Sequence, residues 1–155
     1  MGDKTDLMNF RILKSVKNEK HSGEIIFKRI ISPYYINDDH TVGEVAEVFL
    51  SDGSLQALGV VSSSGTTSGL VVRNELFSLI GQKFGRELYI NRNIMEAASA
   101  AERIYYRRNT FSVIDELSDD LKSAHNSYYL LVDAENRYKG IISSSELVRF
   151  LSEMM

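Results

Sequence analysis

Cysteine and tryptophan are missing from this sequence of 155 residues, which also has only one proline. Without cysteine the chain can form no disulfide, no zinc–thiolate site and no thiol nucleophile, a composition that fits a reducing compartment. Long apolar runs are missing too, so we expect no membrane span of ~20 residues and no signal peptide at the charged N-terminus. These absences predict a soluble protein of the cytoplasm.

Positive charge is also scarce, since 18 Lys and Arg stand against 21 Asp and Glu, a formal net charge of −3. Because no global positive field would attract nucleic acid, we expect no nucleic-acid partner. Residues 1–29 differ, with seven basic and four acidic side chains. They could form an arm for nucleic acid or a membrane surface, but the basic residues alternate with acids and Gly23, and no aromatic pattern suggests base stacking. We interpret them as a solvated leader, with a helix around 10–16.

What the sequence does contain is an internal repeat, in which one constant spacing relates residues of the two halves. This spacing maps a tyrosine pair, a glycine and an acid–leucine pair of one half onto the other: Tyr34-Tyr35 onto Tyr105-Tyr106, Gly69 onto Gly140, and Glu75-Leu76 onto Glu146-Leu147. The alignment needs no gap from Tyr34 to Ile80. This ordered set of matches indicates a duplicated unit.

Each copy predicts the element order β-α-β-β-α, because apolar runs suited to buried strands alternate with helical patterns. The predicted ranges in the two copies are 34–36 and 104–107 for the first strand, 57–61 and 128–132 for the second, 69–72 and 140–142 for the third, and 74–80 and 145–154 for the closing helix.

The first helix of each copy begins at a capping-box pattern, Thr41-x-x-Glu44 or Ser112-x-x-Asp115. An apolar stripe at helical spacing follows in both copies: Val42, Val45, Val48 and Phe49 in the first, and Val113, Leu117 and Leu121 in the second.

One copy of roughly 50 residues is too small to bury its own sheet comfortably. We therefore expect an α/β fold in which two β-α-β-β-α repeats pack sheet to sheet about a pseudo-twofold axis. The predicted organisation is a leader at 1–29, a first repeat at 30–82, a connector at 83–98 and a second repeat at 99–155.

This pattern resembles a tandem pair of CBS domains over about residues 30–155. The family signature is Gly, two apolar residues, Thr or Ser, two variable residues and Asp. The two copies read Gly69-Leu70-Val71-Val72-Arg73-Asn74-Glu75 and Gly140-Ile141-Ile142-Ser143-Ser144-Ser145-Glu146. Both have Glu where the family has Asp, and the first has Val72 where a hydroxyl is usual.

The resemblance implies a non-catalytic sensor that binds an adenine nucleotide (AMP, ADP or ATP) or an adenosyl compound in clefts between the repeats, and that often dimerises. In the family the acid contacts the ribose, the Ser or Thr contacts phosphate, and the extended stretch lines the base pocket. The corresponding residues here are Tyr105, Tyr106, Arg107, Ser143 and Glu146 for one site, and Tyr34, Tyr35, Arg73 and Glu75 for the other.

The connector sequence Phe84-Gly85-x-x-Leu88-Tyr89-x-x-Arg92 is similar to the segment between the repeats of CBS pairs attached to bacterial GGDEF diguanylate cyclases. Those pairs usually have Pro where this chain has Asn93. The similarity implies a downstream GGDEF-type partner and a link to cyclic-di-GMP signalling, although the chain itself contains no GGDEF or EAL motif.

Structural roles compete with these functional interpretations. Ser143-x-x-Glu146 also fits a capping box, and Val72 removes a phosphate donor that Arg73 could replace. Asp38-Asp39-His40 has metal-ligating side chains but precedes a helix cap, and no nucleophile, base or metal set emerges. We therefore expect neither an enzyme nor a metal site. The alternative to a sensor is a ligand-free dimerisation or protein-interaction module.

Overall fold

The chain forms two compact units in the computed structural model, which describes residues 11–12, 32–107, 112, 115 and 127–154. Of the described residues, 11–12 and 34–100 belong to the first unit, and 32–33 and 101–154 to the second. Most of the predicted leader and of the first helix of the second repeat lie outside the described residues.

The first unit contains a four-stranded sheet in the order β1-β2-β3-β4. Only the central pair, β2 and β3, is parallel. Its elements are β1 (Arg11–Ile12), β2 (Tyr34–Asn37), α1 (Val42–Ser51), β3 (Ala57–Val61), β4 (Thr67–Val72), α2 (Arg73–Gly81), α3 (Gly85–Tyr89) and a 3-10 turn at Ile94–Glu96.

The helix predicted around 10–16 is wrong at Arg11 and Ile12, which are extended and pair with Tyr35 and Tyr34. Without this short strand, β2 would be the edge of the sheet. The extended segment therefore satisfies backbone groups that an edge strand would leave unpaired.

The second unit repeats the same order around a three-stranded sheet, β5-β6-β7. Its elements are β5 (Arg103–Tyr105), β6 (Tyr128–Val132), β7 (Tyr138–Ser143) and α4 (Ser144–Met154). Ser112 and Asp115 are helical, whereas the stripe predicted at 113, 117 and 121 lies outside the described residues. The predicted α/β duplication is confirmed.

Helix α1 packs the apolar stripe predicted from its sequence into the core of the first unit. Val42, Val45 and Phe49 are fully buried there, beside Ile36 of β2. The predicted capping box is also confirmed, since Thr41 Oγ1 accepts from the Glu44 N–H at 3.1 Å and Glu44 Oε1 accepts from the Thr41 N–H at 2.8 Å. The hydrogen bond that Glu44 accepts from the Thr41 N–H, together with His40 nearby, holds the pKa of Glu44 below its usual range.

The spacing that maps Gly69 onto Gly140 holds throughout the two hairpins but not in the strand before them. Val60 faces Gly69 and Leu131 faces Gly140, with an irregularity one residue later in both hairpins. In the parallel pairs, however, Ile36 faces Val60 and Ile104 faces Leu131. The alignment without a gap is therefore wrong, because the second copy has three more residues than the first between its parallel strands.

The outer edge strand of each sheet forms one isolated bridge with a residue that precedes the first strand of a repeat. Leu70 of β4 exchanges two backbone hydrogen bonds with Ser99, at 2.8 and 3.0 Å. Ile141 of β7 does the same with Ser32, at 2.8 and 2.9 Å. Because Leu70 and Ile141 each follow the signature glycine directly, the two units cover their edge strands in the same way.

Candidate functional site

The signature end of each unit is the place where the last strand joins the closing helix, at Val72-Arg73 in the first unit and at Ser143-Ser144 in the second. In the second unit, Ser143 faces Tyr128, the first residue of β6. Its Oγ accepts from the Glu146 N–H at 3.2 Å and shares a hydrogen bond with Ser145 Oγ at 3.1 Å. Ser143 therefore caps α4 and lies beside the acid of the signature.

Glu146 and Arg149 lie on successive turns of α4 with the carboxylate and guanidinium 3.7 Å apart. The side chains are 41% and 71% exposed, so this ion pair is weak. The Glu146 carboxylate thus lies at the start of the helix, within reach of solvent and of any ligand that approaches this end of the sheet.

Ser144 fixes the backbone of the signature end in the second unit. Its side chain is buried, and its Oγ accepts from the Ser127 N–H at 2.9 Å. The Ser144 N–H in turn donates to the Ser127 carbonyl at 2.7 Å. Two hydrogen bonds therefore tie the start of α4 to the residue before β6. Gly140, with φ 147°, has a backbone conformation that a side chain would disfavour.

Arg73 occupies the corresponding position in the first unit, and its side chain turns toward the end of α1. The Arg73 guanidinium donates to the carbonyls of Leu55 at 2.7 Å and Asp52 at 2.6 Å, and also to that of Phe49. It lies 5.3 Å from the centroid of the Phe49 ring. Three carbonyls thus hold the guanidinium, and a role for Arg73 in phosphate binding stays a prediction.

Glu75 lies on the first turn of α2, whose N-cap residue, Val72, makes no side-chain hydrogen bond. It borders an open depression of about 420 Å³. The other lining residues are Asn74, Ser78, Leu79 and Gln82. Tyr34 packs against the core of this unit, whereas Tyr35 lies on the opposite face of β2.

The structure does not bring together the five residues predicted for the second site. Tyr105 pairs with Val132, and the Tyr106 N–H donates to the Val132 carbonyl at 2.9 Å. Ser143 instead pairs with Tyr128, four residues earlier in β6. At about 3.3 Å per residue, the positions on β6 that face Tyr105 and Ser143 lie roughly 13 Å apart. Tyr105, Tyr106 and Arg107 are therefore separated from Ser143 and Glu146.

The strand residues at the signature end of the second unit are Glu102 and Arg103. The Glu102 carbonyl accepts from the Leu130 N–H at 3.0 Å, and Arg103 pairs with Leu130. Sequence analysis did not identify Glu102 and Arg103, because it aligned Tyr34-Tyr35 with Tyr105-Tyr106. Matching Ile36 to Ile104, the single aliphatic residue of each strand, would have given the observed register.

We define the hairpin end of the second unit as Tyr105–Arg107 together with the β6–β7 turn, 133–139. Here Arg107 Cζ lies 5.1 Å and Lys139 Nζ lies 5.0 Å from the centroid of the Tyr106 ring. Tyr106 is 8% exposed, and Tyr105, 41% exposed, meets its edge with the ring centroids 5.9 Å apart.

The first unit carries different chemistry at its hairpin end. The residues that correspond to Tyr106 and Lys139 are Asp38 and Ser68, because the strand registers match Ile104 to Ile36 and Gly140 to Gly69. Ser68 Oγ donates to Asp38 Oδ2 at 3.2 Å. The same two backbone positions thus interact in both units, but a hydroxyl and a carboxylate take the place of a cation and a ring.

The sequence matches no protein-family model and no curated protein sequence. Solved structures do match the fold. OpuCA from Staphylococcus aureus has a TM-score of 0.62 at 15% identity, covering 81% of this chain and 97% of that one. A CBS domain protein from Streptococcus pneumoniae has a TM-score of 0.56 at 17% identity, covering 76% and 77%. This chain has the fold of a CBS domain pair.

A further CBS structure of this fold comes from a bacterial Mg²⁺ transporter of the CNNM/CorC family and is in complex with ATP. It has a TM-score of 0.60 at 12% identity and covers 81% of this chain and 85% of its own. In the CBS fold of the present chain, the signature residues of each repeat lie where the last strand joins the closing helix.

Two further features of the chain concern metals and membranes. His40 is buried, 3.3 Å from Glu44 Oε1 and 3.5 Å from Asp39 Oδ1. Among the described residues, no group of three His, Asp or Glu side chains is placed to hold a metal ion. Within the same residues, every helix is too short or too polar to cross a membrane.

Proposed function

We propose that this chain is a non-catalytic regulatory module that binds an adenine nucleotide (AMP, ADP or ATP) or an adenosyl compound at the signature end of its second unit. The observation that carries the proposal is the pairing of Ser143 and Glu146 at the start of α4, directly after Gly140 and two apolar residues. The ATP complex of a CBS domain with the same fold supports the choice of ligand class.

The side chains at this end offer groups that suit a nucleotide. The Glu146 carboxylate can accept two hydrogen bonds from a ribose diol, and the hydroxyls of Ser143 and Ser145 can donate to phosphate. Arg103 lies on β5, on the other side of β6 from Ser143, as a source of positive charge. Tyr128, which faces Ser143, offers an aromatic ring for a base.

For the first unit we propose a weaker site that involves Tyr34, Tyr35 and Glu75. Val72 offers no hydroxyl, and Arg73 already donates to three carbonyls at the end of α1. A phosphate there would have to compete with those carbonyls for the guanidinium.

A melting-temperature screen of the full chain with adenine and guanine nucleotides tests the proposal. A ligand at a hundredfold excess over Kd that binds only the native state should raise the Tm by roughly 5–11 °C for a chain of this length. Glu146→Gln should reduce the shift with adenine ligands to what the weaker site of the first unit contributes. Glu135→Gln, which removes the same charge from the exposed hairpin turn, is the matched control and should keep it.

The absence of any shift in the wild-type chain would refute nucleotide binding. A Tm shift that persists in Glu146→Gln but disappears in Ser143→Ala would show that Glu146 does not bind the ribose. It would still support a nucleotide site at Ser143. Turnover of a nucleotide by the purified chain would refute the non-catalytic part of the proposal.

Exposed apolar side chains support the second candidate function, a ligand-free dimerisation or interaction module. Leu50 is 69%, Phe84 64% and Leu88 52% exposed. Leu50 also borders a groove of about 350 Å³ between α1, α2 and α3. This candidate function predicts that light scattering detects a homodimer, which Leu50→Asp dissociates. Added nucleotides should not change the measured mass.

The proposal of a GGDEF-type partner and of cyclic-di-GMP signalling rests on the connector sequence between Phe84 and Arg92 alone. It predicts that the chain changes cyclic-di-GMP synthesis by a diguanylate cyclase of its own organism, in a manner that depends on ATP. Unchanged synthesis across the cyclases of that organism would count against it.

A further inference from the structure

The residue that bridges the outer edge of β7 is the last but one before the chain enters the other unit. Ser32 belongs to the second unit, where it exchanges backbone hydrogen bonds of 2.8 and 2.9 Å with Ile141. Pro33 follows, and Tyr34 then begins β2 of the first unit. A single residue therefore separates an edge contact of one sheet from a strand of the other.

This single residue, Pro33, is the only proline of the chain. Proline fixes its own φ at about −65° and restricts the residue before it to extended conformations. Ser32 is thus held in the conformation that a strand partner needs, and a displacement of Ser32 reaches Tyr34 through a stiff link. We define residues 32–34 as the proline junction.

The corresponding junction from the first unit to the second is longer and contains no proline. Ser99 exchanges hydrogen bonds of 2.8 and 3.0 Å with Leu70, and the chain enters the second unit after Ala100. Residues 100–102 separate Ser99 from Arg103, where β5 begins. Because three residues without a fixed φ intervene, this junction transmits a displacement less directly than the proline junction.

The bridge between Ser32 and Ile141 has two states, closed and open. It is an isolated bridge of two hydrogen bonds, so it should open locally more readily than the ladder between β6 and β7. Both units favour the closed state. An ordered β7 presents the backbone of Ile141, and an ordered β2 holds Tyr34, which pairs with Ile12 and packs against the core of the first unit.

We propose that the proline junction couples the signature end of the second unit to β2 of the first unit. Ser143 lies two residues after Ile141 on β7, so a change at the signature end alters the fraction of chains in which the bridge is closed. The closed bridge then stabilises the start of β2. By linkage the effect is reciprocal, and an ordered β2 stabilises β7. The coupling belongs to the fold, and it rests on the proposed function only for the ligand that uses it.

Hydrogen exchange of the full chain without any ligand tests the coupling separately from nucleotide binding. Ser144→Ala removes the acceptor of the Ser127 N–H and so perturbs the signature end of the second unit. It should accelerate exchange of the amides at 34–37 at least about threefold. In a chain that carries Pro33→Gly, the same substitution should change their exchange less than about 1.5-fold, because the link is no longer stiff.

Two controls accompany this measurement. Ala100→Gly introduces a glycine at the other junction, and with it Ser144→Ala should still accelerate exchange at 34–37. The amides of α1 should exchange at an unchanged rate, since a general loss of stability would accelerate them as well. Ser143→Ala, which removes the acceptor of the Glu146 N–H, is a second and milder perturbation of the same end.

A second series with ATP distinguishes the coupling from the proposed ligand. If ATP binds at the signature end, it should slow exchange at 34–37 in the wild-type chain but not in Pro33→Gly. A response to Ser144→Ala without a response to ATP would support the coupling and count against the nucleotide.

Three results would overturn the proposal. The first is unchanged exchange at 34–37 in both Ser144→Ala and Ser143→Ala. The second is an equal response in the presence of Pro33→Gly, which would mean that the junction transmits nothing. The third is equal acceleration in α1, which would indicate a general loss of stability.

Discussion

The guanidinium of Arg73 donates to the backbone carbonyl of Phe49 in the last turn of α1. Helix α1 has no basic side chain of its own in that turn, so Arg73 supplies the positive charge that favours a helix C-terminus. The same guanidinium lies over the ring of Phe49. Arg73 therefore connects the start of α2 to the end of α1 and stabilises the core between them.

Replacing Arg73 by Met should destabilise the first unit by about 2 kcal/mol, because carbonyls that are partly shielded from water lose their donor. For a chain of this length the Tm should fall by roughly 4–8 °C. Arg149→Met is the control, since Arg149 is 71% exposed and its replacement should change the Tm little. Equal stability of the two variants in thermal unfolding would show that the carbonyl contacts contribute nothing.

A second prediction concerns the tight corner between α2 and α3. A Cβ atom on Gly85 would lie closer than 3.0 Å to the backbone oxygens of Leu79 and Ile80, so Gly85→Ala must push α3 away from α2. We expect a loss of about 2 kcal/mol, typical of overpacking. Gly81→Ala is the matched control, because nothing lies within 4 Å of its Cβ position. It should leave stability unchanged or raise it by about 0.5 kcal/mol in urea unfolding.

Glu44 should make the stability of the first unit depend on pH. Because folding lowers the pKa of Glu44, its contribution is complete above the ordinary range of a glutamate and is lost as pH falls through the lowered pKa. Glu44→Gln should therefore cost roughly 0.5 kcal/mol at neutral pH, a small value because solvent screens the half-exposed side chain. The cost should decrease as pH falls through the lowered pKa of Glu44 and vanish below it.

Urea unfolding at several pH values measures this difference. Glu47→Gln is the control, since Glu47 is an exposed residue of the same helix and takes no part in the capping box. If both variants followed the same pH curve, the pH dependence would have to come from another group.

The first repeat was predictable from sequence because local signals and packing agree there. The stripe from Val42 to Phe49 has helical spacing, and Thr41 with Glu44 marks the start of α1, so no tertiary information was needed. The all-buried strand at Ala57–Val61 was equally clear. Its five consecutive apolar residues suit a strand with both faces covered.

The candidate site was less predictable, since a strand's register depends on its neighbours in space. An alignment of Tyr34-Tyr35 with Tyr105-Tyr106 gives the higher sequence similarity. The sheets instead align Ile36 with Ile104, because the aliphatic side chain must face the core. A shift of three residues moved Arg107 from one end of the sheet to the other. The engagement of Arg73 by carbonyls also has no sequence signal, because it joins residues 18 to 24 positions apart.

Asn93 stands where similar connectors have proline, and its side chain makes two contacts that proline cannot make. Asn93 Nδ2 donates to the Asp38 carbonyl at 2.8 Å, and its Oδ1 accepts from the Met95 N–H at 2.8 Å. The first contact ties the connector to the turn after β2, and the second caps the 3-10 turn at Ile94–Glu96.

Two variants separate these contacts. Asn93→Asp keeps the cap acceptor but loses the donor to Asp38, whereas Asn93→Ala loses both. We expect a loss of about 1 kcal/mol for Asn93→Asp and about 2 kcal/mol for Asn93→Ala, because each exposed contact is worth about 1 kcal/mol. Hydrogen exchange at the Met95 amide should accelerate in Asn93→Ala only. Acceleration in both variants would mean that the tie to Asp38, rather than the cap, keeps the turn closed.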